Sequence, residues 1–297
     1  MGGYARTDLA CEKMADAAFS AEELRKICRH ESVGGFEVSR LLVSEEGHST
    51  LLGKPIGSYV TVECGAIAYL GDAEWERLVR LLALEIRAMC PRAVDRNFSV
   101  LVAGLGNEEI TADAIGPLSV RELLVTRHLR EQQPKIFERM ECCAVSALSP
   151  GVLGQTGMEV AEVVVGAVRK CRPDAVVAID ALAARSCDRL AATVQLSSTG
   201  ISPGSGIGNH RCSLTQQSLG VPVIAVGIPT VVDSSTLVYD ALREAGIERV
   251  DERLRHILEN GKRFYVSPKE ADLITTRTAT LLAHAINRAL VGVASLS

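Results

Sequence analysis

Strands that alternate with helices over most of the chain predict an α/β protein, a three-layer α/β/α sandwich built on a mostly parallel central sheet. Three observations carry this reading. Ala175–Ile179 is an unbroken apolar run of strand length, the pattern of a central strand covered on both faces. Further short apolar runs, at Ser99–Ala103, Cys142–Leu148, Val194–Leu196 and Val221–Val226, are separated by stretches of helical spacing or by turn residues. The chain has 297 residues, 47% apolar and 23% charged, which suffices to bury one sizeable core.

In chain order, residues 1–35 are polar, helix-prone around Ala15–Arg29, and broken at Gly34-Gly35. Phe36–Val43 and Ser58–Cys64 read as strands on either side of a turn at Gly53-Lys54-Pro55. Trp75–Met89 sets Leu78, Leu81, Leu82 and Leu84 at helical spacing and stops before Pro91. The strand Ser99–Ala103 runs into Gly104-Leu-Gly-Asn107, with a helix expected from there through His128. After Cys142–Leu148, a glycine-punctuated loop leads to a helix over Glu159–Lys170. Helices at Ser234–Ala245 and Lys269–Leu290 complete the pattern. No internal repeat or low-complexity linker divides the chain, so one large domain is expected.

Composition narrows the function. The net charge of −4 offers no basic face for nucleic acid. No apolar run reaches the roughly 20 residues needed to span a bilayer, and the first residues lack the basic-then-apolar pattern of a secretion signal. The expected compartment is the cytoplasm. The nine cysteines contain no C-x-x-C pair and the six histidines no H-E-x-x-H motif, so the thiols read as small hydrophobes, with no metal or organic cofactor expected.

Chemistry in an open parallel sheet gathers at the carboxyl ends of the strands, and two acids sit there. Asp180 follows Ala-Val-Val-Ala-Ile directly, and Asp113 lies in Thr-Ala-Asp-Ala-Ile-Gly-Pro just after the Gly104–Asn107 loop. Each is open to a second reading: Asp113 as a first-turn acid of a helix, Asp180 as an acid bonded to backbone amides in a turn. Gly104 and Gly106 resemble the start of a dinucleotide fingerprint, but Glu109 stands where the third glycine belongs, so a tight turn near Asp113 is the simpler role. The run Pro203-Gly-Ser-Gly-Ile-Gly-Asn209 can form a backbone nest or merely a flexible loop. Asp233, at a strand exit before a helix, reads most simply as a helix N-terminal acid.

Several segments together resemble the signature stretches of the spore germination protease family. They are Arg6-Thr-Asp-Leu-Ala-Cys-Glu12, Gly104-Leu-Gly-Asn107, Asp113-Ala-Ile-Gly-Pro117, Leu124-Val-Thr-Arg-His-Leu129, Ser149-Pro-Gly-Val-Leu-Gly154, Ala178-Ile-Asp-Ala-Leu-Ala-Ala-Arg185, Pro203-Gly-Ser-Gly-Ile-Gly-Asn209 and Gly227-Ile-Pro-Thr-Val-Val-Asp233. They occur in the family's order across nearly the whole chain. The resemblance implies a fold related to the hydrogenase-maturation endopeptidases and an atypical acid protease whose catalytic pair matches Asp113 and Asp180. It implies supporting roles for Gly104, Gly106, Asn107, Arg185, Gly204, Ser205, Gly206 and Asp233. It further implies small acid-soluble spore proteins as substrates, a homo-tetramer, and a place in the developing spore and spore core. Two features depart from the family: a short stretch between Gly246 and Pro268, and Ser202 where some relatives carry His.

The resemblance also bears on the N-terminus. Family members cut after an acid at sites like Thr-Glu before Ile-Ala-Ser-Glu, and Thr7-Asp8 before Leu9-Ala-Cys-Glu12 is similar. The organisation expected is a pro-segment, residues 1–8, released by self-cleavage at Asp8–Leu9, and a single peptidase domain, residues 9–297. Two close carboxylates suit metal-free amide hydrolysis, since like charges share a proton and one acid activates water while the other protonates. The alternatives are a metal-dependent maturation-type endopeptidase, an inactive peptide-binding protein of the same fold, and an anion- or nucleotide-binding protein using the glycine loops.

Overall fold

The computed structural model describes residues 7–17, 19–90, 95–140, 142–203, 212–247, 250–260 and 264–291. Among them nine strands share one sheet: β1 (Cys28–Val33), β2 (Phe36–Val43), β3 (Gly57–Glu63), β4 (Ser99–Gly104), β5 (Ala144–Leu148), β6 (Ala175–Ala184), β7 (Thr193–Ser197), β8 (Val223–Asp233) and β9 (Tyr265–Val266). Their order is β1-β2-β3-β7-β8-β6-β4-β5, with β9 on the end of β8. The central block β8-β6-β4-β5 is parallel, and β7, β3, β2 and β1 extend it antiparallel.

The apolar runs follow from helices on both faces. Successive strand residues point to opposite faces, so Val100, Val102, Val177 and Ile179 enter one core with Leu78, Leu82 and Ile86 of the helix Asp72–Met89 and Leu282 and Ile286 of the helix Ala271–Leu290. Leu101, Ala103, Val176 and Ala178 face the other way, onto Val160, Val164 and Val168 of the helix Val160–Cys171. This is the expected α/β/α layering. No helix among the described residues is long and apolar enough to cross a membrane.

Three expectations need correction. The helix-prone stretch Ala15–Arg29 holds two short helices, Ala10–Asp16 and Ala21–Ile27, the second capped reciprocally by Ser20 and Glu23. Cys28 then starts β1, because Gly34 and Gly35, with φ of +63° and +90°, make a tight hairpin that pairs β1 with β2. The helix expected through His128 is split into Ile115–Arg121 and Arg127–Gln132. The break is pinned to β5, since Thr126 Oγ1 donates to the Cys143 carbonyl and accepts from the Val145 N–H. Finally, β6 does not stop at Ile179, and β8 does not stop at Val226. They stay paired from Asp180↔Gly227 to Ala184↔Val232, past an irregularity at Leu182/Ala183.

Candidate active site

The site forms where β6 outlasts its neighbour. β4 ends at Gly104, opposite Ile179, and the Leu105 N–H still donates to the Ile179 carbonyl at 2.8 Å. Beyond that point β6 has an uncovered edge, whose backbone groups need partners. The N-terminal segment supplies them. The Asp8 N–H donates to the Ala183 carbonyl (2.9 Å), and the Ala183 N–H donates back to Asp8 Oδ2 (2.9 Å). Farther along, Glu12 Oε2 accepts from the Arg185 N–H (2.9 Å) and Oε1 from the Ser186 N–H (3.0 Å). Between Leu105 and Asp8 lies the Ala181 N–H, which donates to Asp180 Oδ1 at 3.0 Å. Asp180 is therefore a residue within β6, not one just after it, and its carboxylate occupies the gap between the end of β4 and the docked segment.

Asp180 is 5% exposed and lines a cavity of about 310 Å³. Leu182 of β6, Ala225 and Gly227 of β8, and Gln195 and Ser197 of β7 line this cavity from the sheet, with Lys54 and Asp8 from outside it. Gly227 is required here, because a Cβ would lie 2.6 Å from the Leu182 side chain. Asp8 lines this space. The Asp8 carbonyl accepts from Lys54 Nζ (2.8 Å) and Gln195 Nε2 (3.0 Å), while the next side chain, Leu9, is wholly buried with Leu182, Ala184 and Val232. Burial pushes the Lys54 amine below the ordinary lysine range, and the Asp8 carboxylate opposes that fall.

Asp113 closes a short 3₁₀ turn, Thr111–Asp113, that packs against β6 and β8. Thr230 of β8 donates to the Ala112 carbonyl at 2.6 Å. The turn is held from the β4 side as well: the Asn107 N–H donates to Asp113 Oδ2 at 2.8 Å, and Asn107 Oδ1 accepts from Gln155. Gly106 has φ +115°, and a Cβ there would stand 2.0 Å from the Asp113 carbonyl oxygen. Gly104 has a similar constraint, since its Cβ would stand 2.2 Å from the Gly116 carbonyl oxygen. Both acids lie at the carboxyl end of the parallel block, Asp180 in β6 and Asp113 in the turn packed on β6 and β8. Asp180 lines the cavity, and Asp113 is not among the residues that line it.

Other expected residues lie elsewhere. Arg185 holds the N-terminal segment through its N–H and a guanidinium contact to the Glu12 carbonyl (3.3 Å). Asp233 is buried at the end of β8 and accepts from the N–H and hydroxyl of Ser235, so it starts the helix Ser234–Glu244 rather than facing the cavity. Gly204, Ser205 and Gly206 fall outside the described residues. Sequence reasoning passed over Lys54, Gln195 and the anchoring role of Glu12. A Gln between Val194 and Leu196 in a buried strand was the available signal for Gln195.

All nine cysteines are free thiols. Burial raises Cys90 to about 11 and Cys143 to about 12, as suits thiols used for packing. Among the described residues no group of three or more His, Cys, Asp or Glu is placed to hold a metal ion.

Comparison with known proteins defines the class first. The family model for germination proteases, a peptidase family, matches residues 5–245. A germination protease of Caldanaerobacter subterraneus subsp. tengcongensis is 40% identical over 309 residues, covering 96% of this chain and 94% of its own. That of Clostridium perfringens strain ATCC 13124 is 38% identical, with 84% and 82% covered, and that of Clostridium acetobutylicum is 35% identical, with 98% and 97% covered. The NiFe hydrogenase maturation protease HycI from Thermococcus kodakarensis aligns with 66% of this chain and 97% of its own, at 15% identity and a TM-score of 0.32. The chain belongs to the germination protease family, and is a protease of that family.

Proposed function

We propose that this chain is the endopeptidase that begins degrading small acid-soluble spore proteins at germination, made as a precursor that cuts its own Asp8–Leu9 bond. The observation that carries the reading is the placement of that bond. The Asp8 carbonyl is held by Lys54 and Gln195, which line the same cavity as Asp180, and the chain on either side is tied down, Asp8 to Ala183 of β6 and Glu12 to Arg185 and Ser186 just beyond it. A trailing tail would have no such grip. While Asp8 stays, it blocks the place where the acid before a substrate's scissile bond would sit, so the precursor is latent. After the cut, Leu9 and Glu12 remain buried and the fold persists.

Asp113 and Asp180 act as an aspartic pair sharing one proton. The ionised acid takes a proton from water as the water oxygen bonds to the Asp8 carbonyl carbon. The C–N bond then breaks, and the protonated acid gives its proton to the Leu9 nitrogen. The products are a new carboxylate at Asp8 and a new amine at Leu9. The same chemistry acts on added spore proteins in the spore core, where the enzyme works as a homo-tetramer.

The test is intact-mass and N-terminal sequencing of full-length protein, with a small acid-soluble spore protein as added substrate. Wild type should mature to Leu-Ala-Cys-Glu. Asp113→Asn and Asp180→Asn should stay folded, unprocessed and inactive, and dialysis against a strong chelator should leave wild-type turnover unchanged. Processing elsewhere, near-wild-type turnover in either variant, or loss of activity on chelation would each refute the corresponding part.

A further inference from the structure

We propose that Lys54 and Gln195 form the carbonyl-oxygen clamp of this peptidase, holding the oxygen on which negative charge collects as water adds to the bond being cut. The inference rests on Asp8–Leu9 being a bond the site cuts, and it assigns a catalytic role to two residues outside the acid pair.

The Asp8 carbonyl oxygen receives two side-chain donors from separate parts of the fold, Lys54 Nζ at 2.8 Å and Gln195 Nε2 at 3.0 Å. Such a pair of donors on one peptide oxygen is the geometry of an oxyanion site. Gln195 is preorganised: it is 8% exposed on β7, and its Oε1 accepts from the Ala10 N–H at 2.5 Å. That acceptor bond leaves the amide N–H facing Asp8, so one side chain spans the scissile bond from both sides.

Lys54 is fixed by its turn. Gly53 takes φ +58°, the Lys54 N–H donates to the Ser49 carbonyl (3.2 Å), and Ser49 Oγ donates to the Lys54 carbonyl (2.7 Å). A partly desolvated ammonium acts on developing charge more strongly than one in water. Both residues line the same cavity as Asp180, which places the clamp and one acid of the proposed pair on one space.

In the step itself, the water oxygen bonds to the Asp8 carbonyl carbon and its proton passes to the ionised acid. The carbonyl π pair moves onto the oxygen, where the Lys54 and Gln195 N–H groups receive it. Collapse restores C=O as the C–N bond breaks and the Leu9 nitrogen takes a proton from the protonated acid. A contact that strengthens as charge builds raises kcat rather than only tightening binding. In trans, the residue before a substrate's scissile bond takes the place of Asp8.

The experiment uses full-length Lys54→Met, Lys54→Arg and Gln195→Glu, the last keeping the acceptor to Ala10 and losing the donor. Intact mass follows the rate of the Asp8–Leu9 cut in the full-length protein. Mass spectrometry follows an added peptide, Tyr-Ala-Arg-Thr-Asp-Leu-Ala-Cys-Glu, on both the full-length protein and the same variants begun at Leu9, where Asp8 no longer blocks the site. Lys54→Met and Gln195→Glu should each slow both cuts by about 10²–10³-fold, in kcat more than in KM. Lys54→Arg should keep most of the rate. If wild type cuts the peptide but never itself, the self-cleavage reading fails, and the clamp stands or falls on kcat for the peptide. An unchanged kcat, with only KM or the urea midpoint moved, shows that the two residues merely hold the segment down and overturns the clamp.

Discussion

Gly106 shows how a single residue type fixes the site. Its φ of +115° is one that side chains rarely adopt, and its missing Cβ leaves room for the Asp113 carbonyl oxygen, 2.0 Å from where that carbon would be. Gly106→Ala must therefore strain the backbone and push the Asp113 turn away from β6. Holding a non-glycine residue there should cost about 1–3 kcal/mol, read as a lower urea midpoint, with a larger loss of peptidase activity. A variant with wild-type midpoint and activity would show that the turn tolerates displacement. The sequence made part of this legible, because a charged residue directly after five buried apolar ones, as at Asp180, is conspicuous. Lys54 and Gln195 were not legible. Their role depends on a turn and a strand meeting one carbonyl at the other end of the chain, and no local pattern encodes that meeting.

At the scale of the element, the N-terminal segment is a covering for the edge of β6. Glu12 is its anchor: 3% exposed, it accepts from the Arg185 and Ser186 N–H groups and the Thr7 hydroxyl, and pairs with Arg189 at 3.4 Å. Glu12→Gln replaces an acceptor-only carboxylate by a group that presents N–H toward donors. The loss should be about 2–4 kcal/mol, since a buried charged acceptor and its ion pair are both broken. Guanidinium or urea unfolding measures it, and self-cleavage should slow in parallel as Asp8 loosens in the cavity. An unchanged midpoint would mean that Arg185 and Ser186 find other partners at no cost. The strands of the parallel block were legible from their apolar runs, but β1 and the extensions of β6 and β8 were not. Those depend on long-range pairing that overrides local propensity.

For the molecule as a whole, cleavage at Asp8–Leu9 changes what the buried Lys54 experiences. In the precursor, burial depresses the Lys54 pKa and the Asp8 carboxylate opposes that, while Lys13 lowers it and Cys11 raises it. In the window between the lowered folded-state value and the ordinary 10.5, the unfolded chain binds more protons at this site than the folded one. Stability from this group therefore rises with pH across that window, and below it the buried charge is a constant burden. Removing Asp8 takes away the opposing charge but also opens the cavity to water and relieves the burial that is the larger cause, so the window narrows and the rise should be smaller in the cleaved protein. The comparison is urea unfolding of the Asp180→Asn precursor and of cleaved protein at a series of pH values up to about 10.5, each with and without Lys54→Met. Lys54→Met should remove the rise in both. Cleaved protein should also be less stable than the precursor at neutral pH, because the Asp8 bonds to Ala183, Lys54 and Gln195 are gone. Identical pH slopes with and without Lys54 would show that its amine is hydrated in the folded state, and that its charge is no stronger beside the Asp8 carbonyl than in water.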